Sequence, residues 1–386
     1  FVHVYTMMHI AILPVFIAEF QLSIFEAGLL VSIPLLISIL FSFPYGFVAD
    51  KISPRKLIAL SLVISGLAGI ALTSALNFYA LLIPLTLIQI SLIIYHPPAL
   101  AVVSEAVPSN RRGSVLGIHG AGGTAGVAIG PITLGLIMAS FGWRPAYLIW
   151  AIPILFSNVF LLKLPDTRLA SNVQDHQEVS SKLDETETSW KLLPAYLVLL
   201  IATTVHGLGA QSVGTYMTTY LVSNRGLGKD MASLLHGLNS AVGVIGSLGG
   251  GYLADLFGNK RWLIVAYSLG LFVYMGIWLG PLWTLIVIYL AGGYFGASTM
   301  GPSMALATEF SPKSRRGLAF NFFMLSTNIM GAVAPIIAAK IIEQYNIEAL
   351  FPFALAISII SIIYLLLLPR EKTFPLQKLT PRNRKA

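Results

Sequence analysis

Gly46-Phe-Val-Ala-Asp50-Lys51-Ile-Ser-Pro-Arg55-Lys56 returns about 204 residues later as Gly251-Tyr-Leu-Ala-Asp255-Leu256-Phe-Gly258-Asn-Lys260-Arg261. A second stretch repeats at nearly the same interval, 204 residues against 205. Ser104-Glu105-x-x-Pro108-x-x-Arg111-Arg112-Gly113 comes back as Thr308-Glu309-x-x-Pro312-x-x-Arg315-Arg316-Gly317. Two anchors whose intervals agree to within one residue mark the chain as two copies of one unit.

The solvent of those units is lipid. Of 386 residues, 56% are hydrophobic and only 10% charged, and the mean hydropathy is +0.80. A water-soluble domain of this length would not tolerate that balance. With no cysteine, disulfides, thiol chemistry and cysteine metal sites are excluded. The apolar run starts at Phe1, so a short segment is expected ahead of it. No small-residue cleavage site follows, so residues 1–18 read as a spanning helix and not as a signal peptide.

A span needs about 20 apolar residues to cross a core about 30 Å thick. Twelve segments qualify: 1–18, 26–49, 57–76, 78–106, 113–140, 144–163, 191–222, 229–254, 261–281, 283–310, 316–342 and 347–369. All are expected to be helices, because backbone groups in hydrocarbon must bond internally. The expected fold is therefore all-α integral membrane, 12 transmembrane helices as two pseudo-symmetric six-helix bundles. The first bundle is expected over 1–163 and the second over 191–369. An acidic linker, 164–190, would join them, and a basic tail, 370–386, would follow. Repeats of this kind are how membrane carriers build a site reachable from either side.

Lysine and arginine set the orientation. Suppose the connections at 50–56, 107–112, 164–191, 255–261 and 311–316 share one side with the tail. That side then holds all of the 24 basic residues except Arg144, Arg225, Lys229 and Lys340. The positive-inside rule makes it cytoplasmic, with both termini inside and the protein in the plasma membrane. The net charge of +8 follows from this topology and calls for no nucleic acid.

The repeated charges sit where helices meet the basic side. An acid, a helix end and cations within a Debye length pair in one conformation and separate in another. Asp50, Arg55, Glu105 and Arg112, with Asp255, Lys260, Glu309 and Arg316, are thus candidates for a cytoplasmic gate. The plainer reading is loop anchoring at the interface. These residues also carry a resemblance. The stretch 46–56 resembles the loop signature of the major facilitator superfamily, Gly-x-x-x-Asp-Arg-x-Gly-Arg-Lys, and 251–261 resembles its second-half echo. The first copy has Ser53-Pro54 where a glycine is usual; the second has Leu256 in place of the basic residue. The resemblance covers the whole chain and implies two bundles rocking about a central cavity.

The fifth helix adds Gly117, Gly126, Gly130, Pro131 and Gly135 in the order G-x8-G-x3-G-P-x3-G. Small residues let helices approach closely and a Gly-Pro pair bends them. The pattern is similar to the antiporter signature of drug/proton exporters in that superfamily, with Leu134 where a second glycine is usual. The alternative is generic small-residue packing. Tyr95-His96-Pro97-Pro98-Ala99, with the 22–30 stretch, resembles the fosmidomycin-resistance exporters, although Met7 and Leu85 stand where related exporters carry charges.

Polar groups at mid-depth in a bilayer are costly and so are functional candidates. No aspartate or glutamate lies there. His9, His96, His206 and His236 do. Histidine's ordinary pKa of about 6.5 lies in the working range, so His9, His96 and His206 are the candidate proton carriers; each reads equally as a neutral imidazole bridging helices. Metal spacing is absent, and neither metal nor cofactor is expected. The resemblance implies a cavity lined by helices one, four, seven and ten and flanked by five, eight and eleven. By depth, the candidates are Tyr5, Thr6, His9, Gln89, Tyr95 and His96, then His206, Gln211, Tyr216, His236, Asn239, Tyr294, Met300, Asn321 and Asn328. That uncharged, aromatic and amide-bearing set suits a neutral or amphipathic ligand. The expectation is a monomeric carrier exporting a small molecule against protons. A uniporter, a weak-acid symporter and a transporter-like sensor stay open; no catalytic motif supports an enzyme.

Overall fold

A proline inside a helix has no N–H for the carbonyl four residues earlier, and in lipid that carbonyl needs another donor. Two such carbonyls are recaptured by side chains from neighbouring helices. Pro14 frees the oxygen of Ile10, which accepts from Thr218 Oγ1 at 3.0 Å. Pro98 frees that of Ile94, which accepts from Tyr45 Oη at 2.8 Å.

The computed structural model describes residues 1–49, 51–108, 111–162, 192–311 and 316–369, with only the backbone of 105 and 112–114. The linker and tail expected at 164–190 and 370–386 lie outside the described residues. The first segment, α1, is broken into Val4–Thr6, Met8–Ala11 and Leu13–Phe20. One continuous helix was expected there. The second break falls at Ile12, just before Pro14, where the chain leaves helical geometry.

The remaining helices are α2 (Ile24–Ala49), α3 (Pro54–Thr73), α4 (Phe78–Glu105) and α5 (Arg112–Phe141). Then come α6 (Arg144–Phe156, continued by Asn158–Leu161), α7 (Leu193–Ser223), α8 (Lys229–Phe257) and α9 (Asn259–Leu279). The last three are α10 (Leu282–Ala297, continued by Met300–Glu309), α11 (Arg316–Gln344) and α12 (Leu350–Leu367). Among the described residues, these 11 are long and apolar enough to cross a membrane, and there is no strand. Asn77 caps α4 by accepting from Ala80 N at 3.0 Å. Gly258, at φ +93°, makes the turn from α8 into α9, a conformation that L side chains rarely adopt.

Within each half, α3 packs on α4 and α6, and α7 packs on α11 and α12. The first half buries a core around Tyr5, Phe16, Leu81, Trp143 and Tyr147. The halves meet chiefly through α5 against α8 and α2 against α11. Shifting by six helices converts one of those pairs into the other, so the two junctions are related by the repeat. The end carrying Lys51 and Gly258 is called the basic end below, and the opposite one the far end.

Candidate functional site

Four links between the halves gather at the far end. Ser233 Oγ on α8 donates to Pro131 O on α5 at 3.2 Å. Tyr216 Oη on α7 reaches both Ile24 O on α2 (3.0 Å) and Pro335 O on α11 (3.2 Å). Phe25 N donates to Glu343 Oε1 at 3.2 Å, and Lys340 lies 4.4 Å from the Phe25 ring centroid. Close approach is built in. A Cβ at Gly135 would stand 2.7 Å from Asp230 O and 2.8 Å from Leu234 N.

The same helix faces are open at the basic end. Eighteen residues make five turns at 3.6 per turn, which returns to the same face about 27 Å along. That step leads from Gly135 to Gly117 on α5 and from Ser233 to Gly251 on α8. It leads from Gly28 to Gly46 on α2 and from Pro335 to Gly317 on α11. At all four destination glycines nothing among the described residues lies within 4 Å of where a Cβ would be. The faces that touch at the far end therefore border an open cleft at the basic end.

Several candidates group in and around this cleft. His3, on α1, lies 5.0 Å from His96 between ring centroids and 6.4 Å from Tyr95. Tyr95 stacks on His119 of α5 at 6.0 Å. Three imidazoles and a phenol thus share the basic half of the first bundle. Gln211, Met300, Asn321 and Asn328 are exposed. Gln211 Nε2 comes within 4.0 Å of a Cβ placed on Gly331, which lies three residues from Asn328. Nearer the far end, His9 is buried and lies within electrostatic reach of His236 across the junction. His236 Nδ1 meets Tyr289 Oη at 3.2 Å.

Other candidates lie inside one half. Tyr5 is fully buried; it donates to Tyr147 O at 2.6 Å and stacks on the Tyr147 ring. Thr6 Oγ1 is buried without a partner, and Gln89 is buried. Tyr294 packs edge-on against Phe295. His206 stacks on Tyr267 at 3.5 Å between centroids, and Asn239 Nδ2 donates to Tyr289 O at 2.6 Å. Both border a cavity of about 180 Å³ within the second half. Tyr267, Tyr274 and Tyr289, which also line it, were not singled out from the sequence, because no charge or motif distinguishes them from packing tyrosines.

The glycine signature of α5 does two separate jobs. Cβ atoms at Gly126 and Gly130 would strike His3 and Val4 of α1, whereas at Gly135 the obstacle is α8 of the other half. Gly117 faces the cleft. Of the charged candidates, Asp50 and the side chains of Glu105 and Arg112 lie outside the described residues. Lys260 Nζ donates to Leu368 O (2.5 Å) and Leu366 O (3.2 Å) at the end of α12. Asp255, Glu309 and Arg316 are exposed at the basic end, and Arg55 is half-buried there. Among the described residues no cluster could hold a metal ion.

A family model described as Major Facilitator Superfamily matches residues 1–279 and 199–384. A Streptococcus pneumoniae protein named Multi-drug resistance efflux pump PmrA is 28% identical over 348 residues, covering 85% of this chain and 82% of the relative. The Escherichia coli Multidrug resistance protein MdtG is 26% identical over 350 residues, 88% of this chain and 83% of the relative. Two solved structures match with a TM-score of 0.76. One is a bacterial homolog of the human lysosomal transporter Spinster, inward-facing and occupied, at 17% identity over 95% of this chain and 94% of that one. The other is the nucleoside transporter NupG, at 13% identity over 94% and 96%. At such identities the likeness is one of fold.

Proposed function

This chain belongs to the Major Facilitator Superfamily, and on that premise we propose that it exports small neutral or amphipathic molecules across the plasma membrane in exchange for protons. As a member it is a multi-pass secondary transporter and not an enzyme. One observation carries the reading: four helix faces sealed at the far end are open five turns away. With lysine and arginine placing the basic end and both termini in the cytoplasm, the cleft faces inward. Rocking of the halves, 1–163 and 191–369, then exposes it to the other side. The exposed amides and Met300 suit an uncharged substrate. Export as the direction draws support from the names of PmrA and MdtG.

Protons have two stations in this scheme. His96, with His3 and His119, stands on the open side. His9 lies within electrostatic reach of His236 across the junction. Charging both members of that pair sets like charges across the junction and favours parting. The charges at Asp50, Arg55, Glu105 and Arg112, and at Asp255, Lys260, Glu309 and Arg316, act as the cytoplasmic gate. The working unit is a monomer.

The test is dye transport by the purified chain in proteoliposomes under an imposed pH gradient. The gradient is expected to accelerate antiport severalfold, and His96→Gln and His9→Gln to lose that stimulation while still moving dye downhill. Transport indifferent to the gradient would make the protein a uniporter. Stimulation in the opposite sense would make it a symporter for a weak acid.

A further inference from the structure

The cavity of about 180 Å³ lies inside the second half, bounded by α7, α8, α9 and α10, and every residue that lines it belongs to that half. Its walls are aromatic: Tyr267, Tyr274, Tyr289 and Phe295, with His206 already stacked on Tyr267. Three glycines, Gly214, Gly270 and Gly296, also line it, and none has an atom within 4 Å of its Cβ position. Larger residues at those points would fill the space without displacing anything.

Size limits the occupant. A dry cavity of about 150 Å³ accepts benzene, whereas sites for drug-sized ligands start at about 300 Å³. One ring, or two fused rings, is what fits. The polar groups narrow the class further. Asn239 donates one amide hydrogen to Tyr289 O, which fixes the amide and leaves its oxygen as an acceptor. His206 Nδ1 is buried without a partner, and among the described residues no group bonds its Nε2. The ligand therefore needs a hydrogen-bonding N–H or O–H on an aromatic ring and no charge, because no ionised side chain lines the walls.

We propose that this cavity is a binding site for one small uncharged aromatic molecule of the indole or phenol class. The ring stacks among the tyrosines, and the N–H or O–H bonds to Asn239 and His206. Equilibrium binding reads this site whether or not protons drive export.

The experiment uses the purified full chain in lipid nanodiscs with fluoroindole, followed by fluorine NMR. Saturable binding is expected, displaced by indole and phenol but not by decanol. Gly270→Leu, which fills the void, should weaken it at least tenfold without lowering the thermal midpoint. His206→Phe keeps the stack but loses the nitrogen and should weaken fluoroindole by about tenfold, the cost of one hydrogen bond, while leaving naphthalene unaffected. If Gly270→Leu does not fold, His206→Phe alone decides. Absence of saturable binding, displacement by decanol as effective as by indole, or parental affinity in these variants would each overturn the proposal.

Discussion

Gly135→Ala should open the far end. In the sealed state the new Cβ would stand 2.7 Å from Asp230 O, 2.8 Å from Leu234 N and 3.1 Å from Leu234 Cα. All three are backbone atoms, so no side chain can swing aside. Ordinary contact begins at 3.4 Å, and α8 must therefore retreat by about 0.7 Å; overpacking of this sort costs about 1–3 kcal/mol. The cost falls only on the state in which α5 and α8 touch. The sealed population should therefore drop about 5–150-fold relative to the open one.

Nitroxide labels report it directly. The chain has no native cysteine, so labels go only where they are placed. Leu76 and Tyr345, 84% and 74% exposed, mark the far ends of the two halves. Their distance distribution should move to longer values in Gly135→Ala. Two controls sit on the same helix. Gly117→Ala has no neighbour within 4 Å and should leave the distribution unchanged. Gly130→Ala strikes α1 within its own half, so it should lower the thermal midpoint without shifting the distances. An unshifted distribution in folded Gly135→Ala, or an equal shift in Gly117→Ala, would refute the reasoning.

Two further outcomes follow from single hydrogen bonds. Tyr216→Phe removes the hydroxyl shared by Ile24 O and Pro335 O; losing one buried bond between the halves costs about 1 kcal/mol. The same labels should show about a fivefold shift toward the open far end. Lys260→Ala removes the cation bonded to the last carbonyls of α12, an interaction of about 0.3–1 kcal/mol. The thermal midpoint should fall by about 1 °C or less, and Lys260→Arg should restore most of it.

The helices α2 to α12 were legible because length and hydropathy decide a span. The break in α1 was harder to read. Pro14 is the sign of it, yet Pro34, Pro44, Pro84, Pro97 and Pro98 lie inside helices that continue through them. Uptake of the freed carbonyl does not separate the cases, since Thr218 bonds Ile10 O at the break and Tyr45 bonds Ile94 O in a helix that continues, and a sequence does not say which helix supplies either donor. The direction in which a side chain turns was not legible. Tyr5 and His9 are four residues apart at similar depth, yet the hydroxyl of Tyr5 turns to α6 and His9 turns toward α8. Tyr267 and Tyr274 had no distinguishing signal, since a tyrosine on α9 looks the same whether it packs on lipid or encloses a void.

The uneven repeat has a structural counterpart at the seal. Pro131 and Pro335 are repeat equivalents on α5 and α11, and the carbonyl oxygen of each accepts a hydroxyl there. On α5 the hydroxyl belongs to Ser233 of the facing helix. The equivalent position on α2 is Gly28, which has no side chain to offer. A Cβ at Gly28 would lie 2.6 Å from Tyr216 Oη and 2.9 Å from Pro335 O, so the missing side chain is what admits the tyrosine. One junction thus carries its donor on the facing helix itself, and the other borrows it from α7 through a gap left by glycine. Because α7 holds the second donor, the α2–α11 junction depends on the position of α7, whereas the Ser233–Pro131 hydrogen bond joins α5 and α8 directly. The two seals therefore need not break together. Tyr216→Phe should loosen the side of the far end formed by α2 and α11 before the side formed by α5 and α8.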